Sequence, residues 1–327
     1  MLFGKYEFRC CFETEARLPA YKGSTFRGVF GHALKSVVCA LKRQTCEQCL
    51  LKAQCIYALV FETQHAIPPP PGARIVAPPH PFVIEPPATA KADFVAEDVF
   101  DFNLLLFGQI NRHLPYFIYA FDQMGKIGVG QKLNGRRGRF ALKAVRHNGR
   151  SIYSGEDQRL DMSADFSRLI LKKPEQVPSP NGSRLKITLK TPLRLKFQNR
   201  LAAELPFHLL VRAMLRRVDT LLRCYGDQEP NLDFKGLVRR AEAVHTVASE
   251  SDLRWYDWQR YSQRQDQKML MGGMLGSVTY EGAIGEFLPL IDFCEQTHIG
   301  KQTAFGLGRL VAEGVRAFGA GIRDGGM

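Results

Sequence analysis

Among 327 residues, 45 Lys and Arg outnumber 32 Asp and Glu, a formal net charge of +13 that favours an acidic partner, nucleic acid before a membrane surface. The 45% apolar and 24% charged fractions are those of a globular protein with true cores, and the length suits two domains. No apolar run reaches membrane-span length and the opening Met1-Leu2-Phe3-Gly4-Lys5-Tyr6 lacks a signal core, which predicts a cytoplasmic protein with no membrane partner.

Residues 5–19 alternate loosely and read as an opening strand. Next, Ser24 or Thr25 is placed to cap a helix running to about Lys42. At 100° per residue, Phe26, Phe30, Ala33, Leu34, Val37 and Leu41 share its core side. Ser24, Gly28, Gly31, His32, Lys35 and Lys42 fall opposite, a face that is small and then basic, suited to a close backbone or a ligand.

Four of the eight cysteines follow within seventeen residues, Cys39-x6-Cys46-x2-Cys49-x5-Cys55. Thiols this dense in an intracellular chain point to metal before disulfides. Four thiolates close a tetrahedral structural zinc site, and the same set suits an iron–sulfur cluster. Four buried free thiols are the plain alternative.

From Ile67 to Pro87 the chain holds half of its 18 prolines and reads as extended, with short edge strands around Ile75–Val76 and Phe82–Ile84. Residues 97–107 read as a buried strand, and Ile110 to Met124 as an aromatic-rich helix despite Pro115. A basic, glycine-rich stretch follows, carrying Lys132, Arg136, Arg137 and Arg139, and leads into a strand at Phe140–Val145. Between Gln123 and Gly155 there are eight Lys and Arg and no acidic residue.

Proline and glycine in Lys172–Ser183 mark a linker. Beyond it Arg184–Lys190 alternates as a strand, and Pro206 opens a helix with Leu210, Met214, Val218 and Leu221 inward. A polar helix is expected over Asp233–Val247. Trp255, Trp258 and Tyr261 alternate with Arg254, Arg260 and Arg264, a pattern that suits stacked bases and a packed sheet equally. Leu275–Tyr280 reads as a strand, Phe287–Cys294 as a helix and Leu310–Val315 as the last strand.

Between that helix and strand lies His298-Ile299-Gly300-Lys301-Gln302-Thr303-Ala304-Phe305-Gly306-Leu307-Gly308-Arg309. Three glycines allow tight bends and close backbone approach, and free N–H groups beside two cations suit a phosphate. It is no P-loop, since Gln302 follows Gly300-Lys301 and Glu295 holds the place of the required upstream glycine. An ordinary glycine turn is the other reading.

Each half therefore reads as β-α-β-β-α-β. The fold class is α+β, two tandem ferredoxin-like (RRM-like) domains with a cysteine-rich insertion in the first. The domains span 1–172 and 184–327, with 173–183 as linker. Neither half carries an aromatic RNP signature, so the common sheet-face mode of RNA binding is not supported.

The helix entry Gly23-Ser24-Thr25-Phe26-Arg27-Gly28 and the closing Gly300-Lys301…Phe305-Gly306-Leu307-Gly308 loop resemble the RAMP superfamily of CRISPR proteins, and within it the repeat-processing endoribonucleases. That resemblance implies a cut within the repeat of a CRISPR precursor transcript that needs no metal. The 2′-hydroxyl attacks the adjacent phosphate, leaving a 2′,3′-cyclic phosphate and a 5′-hydroxyl. It places a catalytic histidine on or near the first helix, where His32 matches. Histidine titrates near neutrality and suits proton transfer. Lys35, one turn away, is the residue to steady charge on phosphorus. Tyr21 and Lys22 are weaker partners, and His298 is a competing histidine. RNA contacts are expected from Arg27, Lys132, Arg136, Arg137, Arg139, His298, Gly300, Lys301, Gly306, Gly308 and Arg309. The implied partners are precursor RNA and other CRISPR effector subunits. Two other readings stand beside this one: a RAMP subunit that binds guide RNA without cutting it, and a zinc-stapled nucleic-acid scaffold.

Overall fold

The computed structural model describes residues 1–314 except 73–74, 163–165, 174–182, 196–202, 228, 263–266 and 271. Most of the linker, together with Arg264 and Val315, therefore lies outside the described residues. Two compact units emerge. The first comprises Met1–Leu169, Asp219–Pro230 and Gln302–Gly306, and the second comprises Ile170–Val218, Asn231–Lys301 and Leu307–Met327.

In the first unit, strands β1 (Leu2–Phe12), β2 (Phe82–Glu85), β3 (Val99–Phe107) and β4 (Phe140–His147) pair antiparallel in the order β4-β1-β3-β2. Helix α1 (Gly23–Val38) and helix α3 (Leu114–Ile127) follow the first and third of these strands; α2 (Ile56–Phe61) is a short helix between them in the chain. This is the ferredoxin-like order. The register sets Phe8 opposite Phe102 on one side and Val145 on the other. Its core is aromatic: Phe8, Phe26, Phe30, Phe102 and Phe121 are buried, and Phe30 stacks on Phe121 with centroids 4.3 Å apart. Each such ring contributes about 1.5–3 kcal/mol by leaving water. Pro115 sits in the first turn of α3, where its missing N–H costs nothing.

Helix α1 starts earlier and stops sooner than its sequence suggests. Lys22 is the N-cap, with no side-chain cap, so Ser24 and Thr25 lie inside the first turn. Gly23 allows this start, because a Cβ there would stand 2.0 Å from the Phe305 carbonyl oxygen. At the other end Cys39 is extended, its N–H still on the Lys35 carbonyl at 3.0 Å, and Lys42 falls beyond the helix.

In the second unit β5 (Ser183–Leu193), β6 (His245–Val247), β7 (Gly273–Gly282) and β8 (Leu310–Glu313) form an antiparallel sheet in the order β6-β7-β5-β8. The helices that complete the same topology are α4 (Phe207–Tyr225), which belongs to this unit as far as Val218, and α6 (Leu288–Thr297). The polar helix expected over Asp233–Val247 is shorter, α5 (Phe234–Ala241), and its tail is strand β6. Among the described residues no helix is long and apolar enough to cross a membrane.

Candidate functional site

The amphipathic pattern of α1 dictates its geometry. Phe26, Phe30, Ala33 and Leu34 are fully buried, which leaves His32 and Lys35, three residues apart, exposed on the opposite side. An imidazole and an ammonium facing solvent on one helix face supply a proton carrier and a fixed positive charge.

What holds this face is a column of rings and cations in the first unit. The Lys35 ammonium lies 5.3 Å from the centroid of Tyr57, and Tyr57 stacks on Phe61 at 5.2 Å and 13°. The Arg27 guanidinium lies 5.0 Å from the Phe61 ring and 4.4 Å from the Phe305 ring. It donates to Nε2 of His80 at 3.2 Å, and His80 Nδ1 reaches the Val60 carbonyl at 2.8 Å. Those two partners assign the ring proton to Nδ1. Arg27, expected at RNA, thus has its guanidinium flanked by two phenyl rings of its own unit.

Tyr21 and Lys22 are also committed inside the protein. The Tyr21 hydroxyl donates to the Phe305 carbonyl at 2.6 Å, and burial, helped by Glu85, raises its pKa above the ordinary tyrosine value. Lys22 is buried, donates to the Thr89 carbonyl at 2.6 Å and has its pKa lowered by desolvation.

The four clustered cysteines lie in the segment after α1. Among the described residues no three His, Cys, Asp or Glu side chains are placed to hold a metal ion, and Cys39, Cys46, Cys49 and Cys55 are free and part-exposed. Short backbone turns, Gln44 to Leu41, Gln48 to Thr45 and Lys52 to Cys49, close the segment instead. Burial raises the Cys46 thiol pKa, with Lys35 opposing and Glu62, Cys55 and Cys39 adding to it.

The glycine loop departs most from expectation. Its N–H groups are largely spent within the protein: Ile299 on Gly308, Lys301 on Arg194, Gly306 on Thr303, Gly308 on Pro192 and Arg309 on Thr191 Oγ1. Gly306 and Gly308 are buried at φ +81° and +73°. A Cβ on Gly308 would stand 1.8 Å from the Ile299 carbonyl oxygen, and one on Gly306 2.5 Å from that of Ile84. The close approaches are to the protein's own backbone. His298 is fully buried, with Nδ1 at 3.1 Å from the Leu307 carbonyl, so its side chain braces the loop. Lys301 is exposed, and Gly300 and Arg309 are half-buried.

In the first unit, Lys132, Arg136 and Arg139 are exposed and Arg137 half-buried at a hairpin of strands Val129–Leu133 and Arg136–Gly138. Arg139 lies 3.9 Å from Glu13. Sequence reasoning missed Tyr57, Phe61 and His80, and quoted Phe305 only as part of the loop motif. The Tyr57/Phe61 spacing of four within an apolar run was the available signal, since it puts two rings on one helix face.

Comparison with known proteins agrees with this architecture. A family model described as an N-terminal domain matches residues 1–165, and the model of the CRISPR-associated endoribonuclease Cas6 matches residues 187–310. An uncharacterized protein of Archaeoglobus fulgidus is 23% identical over 299 residues, 89% of this chain and 91% of the relative. Among solved structures, a Thermus thermophilus Cas6 aligns with a TM-score of 0.53 and 14% identity, covering 95% of this chain and 98% of its own. A Cas6 product complex gives 0.55 and 13%, over 95% and 100%. A partial Cas6-RT-Cas1–Cas2 complex gives 0.56 and 12%, over 98% of this chain and 47% of that one. At these identities the structural likeness establishes a common fold.

Proposed function

We propose that the chain is a CRISPR repeat-processing endoribonuclease of the RAMP superfamily, a reading supported by the match of residues 187–310 to the Cas6 model, and that it cleaves precursor transcripts within the repeat to release guide RNAs. The observation that carries this reading is the pairing of His32 and Lys35 on the one solvent-exposed face of α1, the helix that opens the first ferredoxin-like unit.

In the proposed reaction the ribose 2′-oxygen bonds to the adjacent phosphorus and the bond from phosphorus to the 5′-oxygen breaks. The 2′-hydroxyl loses a proton and the departing 5′-oxygen gains one, so the products are a 2′,3′-cyclic phosphate and a 5′-hydroxyl. No water is consumed and no metal is called for. His32 carries the proton transfer, a role that speeds such steps by about 10²–10⁴-fold. Lys35 holds its ammonium where negative charge grows on the non-bridging oxygens. The basic hairpin at Lys132–Arg139 holds RNA by its phosphates. The partner is precursor RNA, and docking with other CRISPR subunits is a further part of the proposal, motivated by the fold shared with the Cas6-RT-Cas1–Cas2 complex.

The test is incubation of the purified protein with repeat RNA in EDTA. One cut per repeat, a cyclic-phosphate end and loss of cutting in His32→Ala support the proposal. Tight binding of intact RNA with no product would sink it and identify a non-catalytic RAMP subunit.

A further inference from the structure

We infer that Tyr57 is a positioning residue for the cleavage, holding the Lys35 ammonium in place beside His32. This rests on the endoribonuclease reading above. An exposed lysine has a long flexible stem, and an ammonium free to wander is a poor partner for one phosphate oxygen. Two devices restrain it. A carboxylate would fix the ammonium and also neutralise it, competing with the phosphate for the same charge. An aromatic face attracts the cation through its quadrupole and leaves the charge intact. Lys35 takes the second device, with its Nζ 5.3 Å from the Tyr57 centroid. Among the described residues no carboxylate pairs with it.

The ring serves only if it is itself fixed. Tyr57 lies nearly parallel to Phe61, and Phe61 is backed by the Arg27 guanidinium. Arg27 also lies over the Phe305 ring and is pinned by His80. Each layer is a stacked or cation–π contact, so the column behaves as a rigid support for the last cation. Its end nearest solvent is the Lys35 ammonium, three residues from His32 on the exposed face. The arrangement places a charged group that touches substrate under the control of a neutral ring that need not.

The experiment compares wild type, Tyr57→Leu, Tyr57→Phe, Lys35→Ala and the Tyr57→Leu/Lys35→Ala pair in single-turnover cleavage of repeat RNA. Saturating and limiting protein separate rate from affinity, and melting temperature checks folding. With ¹³C-lysine, the Lys35 ε-methylene signal reports the ring directly through its ring-current shift. Tyr57→Leu should slow the saturated rate about tenfold with affinity unchanged, and Tyr57→Phe should restore most of it. In the Lys35→Ala background Tyr57→Leu should add nothing. The upfield Lys35 shift should vanish in Tyr57→Leu and persist in Tyr57→Phe. Wild-type rate in Tyr57→Leu, or an equal further loss in the double variant, would overturn the role. So would failure of Tyr57→Phe, which keeps the ring. If the wild type cuts nothing, the endoribonuclease reading fails and the positioning role falls with it. The Lys35 shift still decides whether the ring holds the ammonium, and its absence alone refutes the placement.

Discussion

The outer face of α1 and the glycine loop at Gly300–Arg309 look equally functional as sequence, and the fold treats them oppositely. On α1 the chemically able side chains, His32 and Lys35, are exposed and contribute nothing to the core beneath them. In the loop the suggestive residues are consumed by the fold. His298, Gly306 and Gly308 are buried, and most of the backbone N–H groups that would cradle a phosphate donate to acceptors of the protein itself. Glycine reports that something approaches closely; it does not report whether that something is a ligand or the next turn of chain. The difference teaches that residues surplus to the fold are the better guide to chemistry.

Breaking the comparison begins with His32→Ala. If α1 carries the chemistry, the variant should lose about 10²–10⁴-fold in cleavage rate. Its melting temperature should stay put, because an exposed side chain is worth no more than about 0.5 kcal/mol to folding. A rate within tenfold of wild type would remove His32 from the chemistry. Gly308→Ala is the mirror image. Its Cβ collides with the Ile299 carbonyl at 1.8 Å and the backbone sits at φ +73°, so the second unit should lose about 3 kcal/mol or more. Denaturant unfolding measures this. A variant that stays fully stable yet loses RNA affinity would show the loop to be a ligand cradle after all.

Much of this division was legible in the sequence. Strand and helix periodicity gave both β-α-β-β-α-β units, and the apolar stripe of α1 fixed which side His32 faces. The ring column was not, because Phe305 and Phe61 stand 244 positions apart and only the folded chain brings both to Arg27. The cysteine spacing suggests a metal clip, but spacing constrains sequence neighbours and says nothing of where turns send each thiol. The start of α1 was missed for a similar reason: Gly23 packs on Phe305, and that tertiary contact overrides the capping preference of Ser24 and Thr25.

Tyr21 sharpens the comparison on the α1 side. The family resemblance offers it as a catalytic partner, while its hydroxyl is spent on the Phe305 carbonyl. Tyr21→Phe should therefore cost about 1 kcal/mol of stability at neutral pH and leave the cleavage rate nearly intact. Alkaline unfolding gives a second readout. Burial raises the folded-state pKa of Tyr21, so the folded chain holds a proton that the unfolded chain releases near pH 10. Stability from this group is whole below pH 10 and is lost as pH rises beyond it. Removing the hydroxyl should make that decline less steep, though buried Tyr6 and Tyr280, both raised by burial, keep part of it. A catalytic collapse in Tyr21→Phe at unchanged stability would return Tyr21 to the chemistry.

Lys301 carries the smallest effect and tests the loop's remaining claim. It is the one fully exposed cation of Gly300–Arg309, and its N–H is held by the Arg194 carbonyl at 3.3 Å, so the backbone aims the side chain outward. Replacing it with alanine leaves every loop hydrogen bond in place. If it meets a phosphate, affinity for repeat RNA should weaken modestly, and the slope of log affinity against log salt should flatten by about 0.7–0.9, the signature of one lost phosphate contact. Arg136→Ala on the basic hairpin should flatten the slope by the same amount, since both act through charge alone. Cleavage at saturating protein should be unaffected in either. An unchanged slope in Lys301→Ala beside a flattened one in Arg136→Ala would leave the loop as pure scaffolding and assign the strand's phosphates to the first unit.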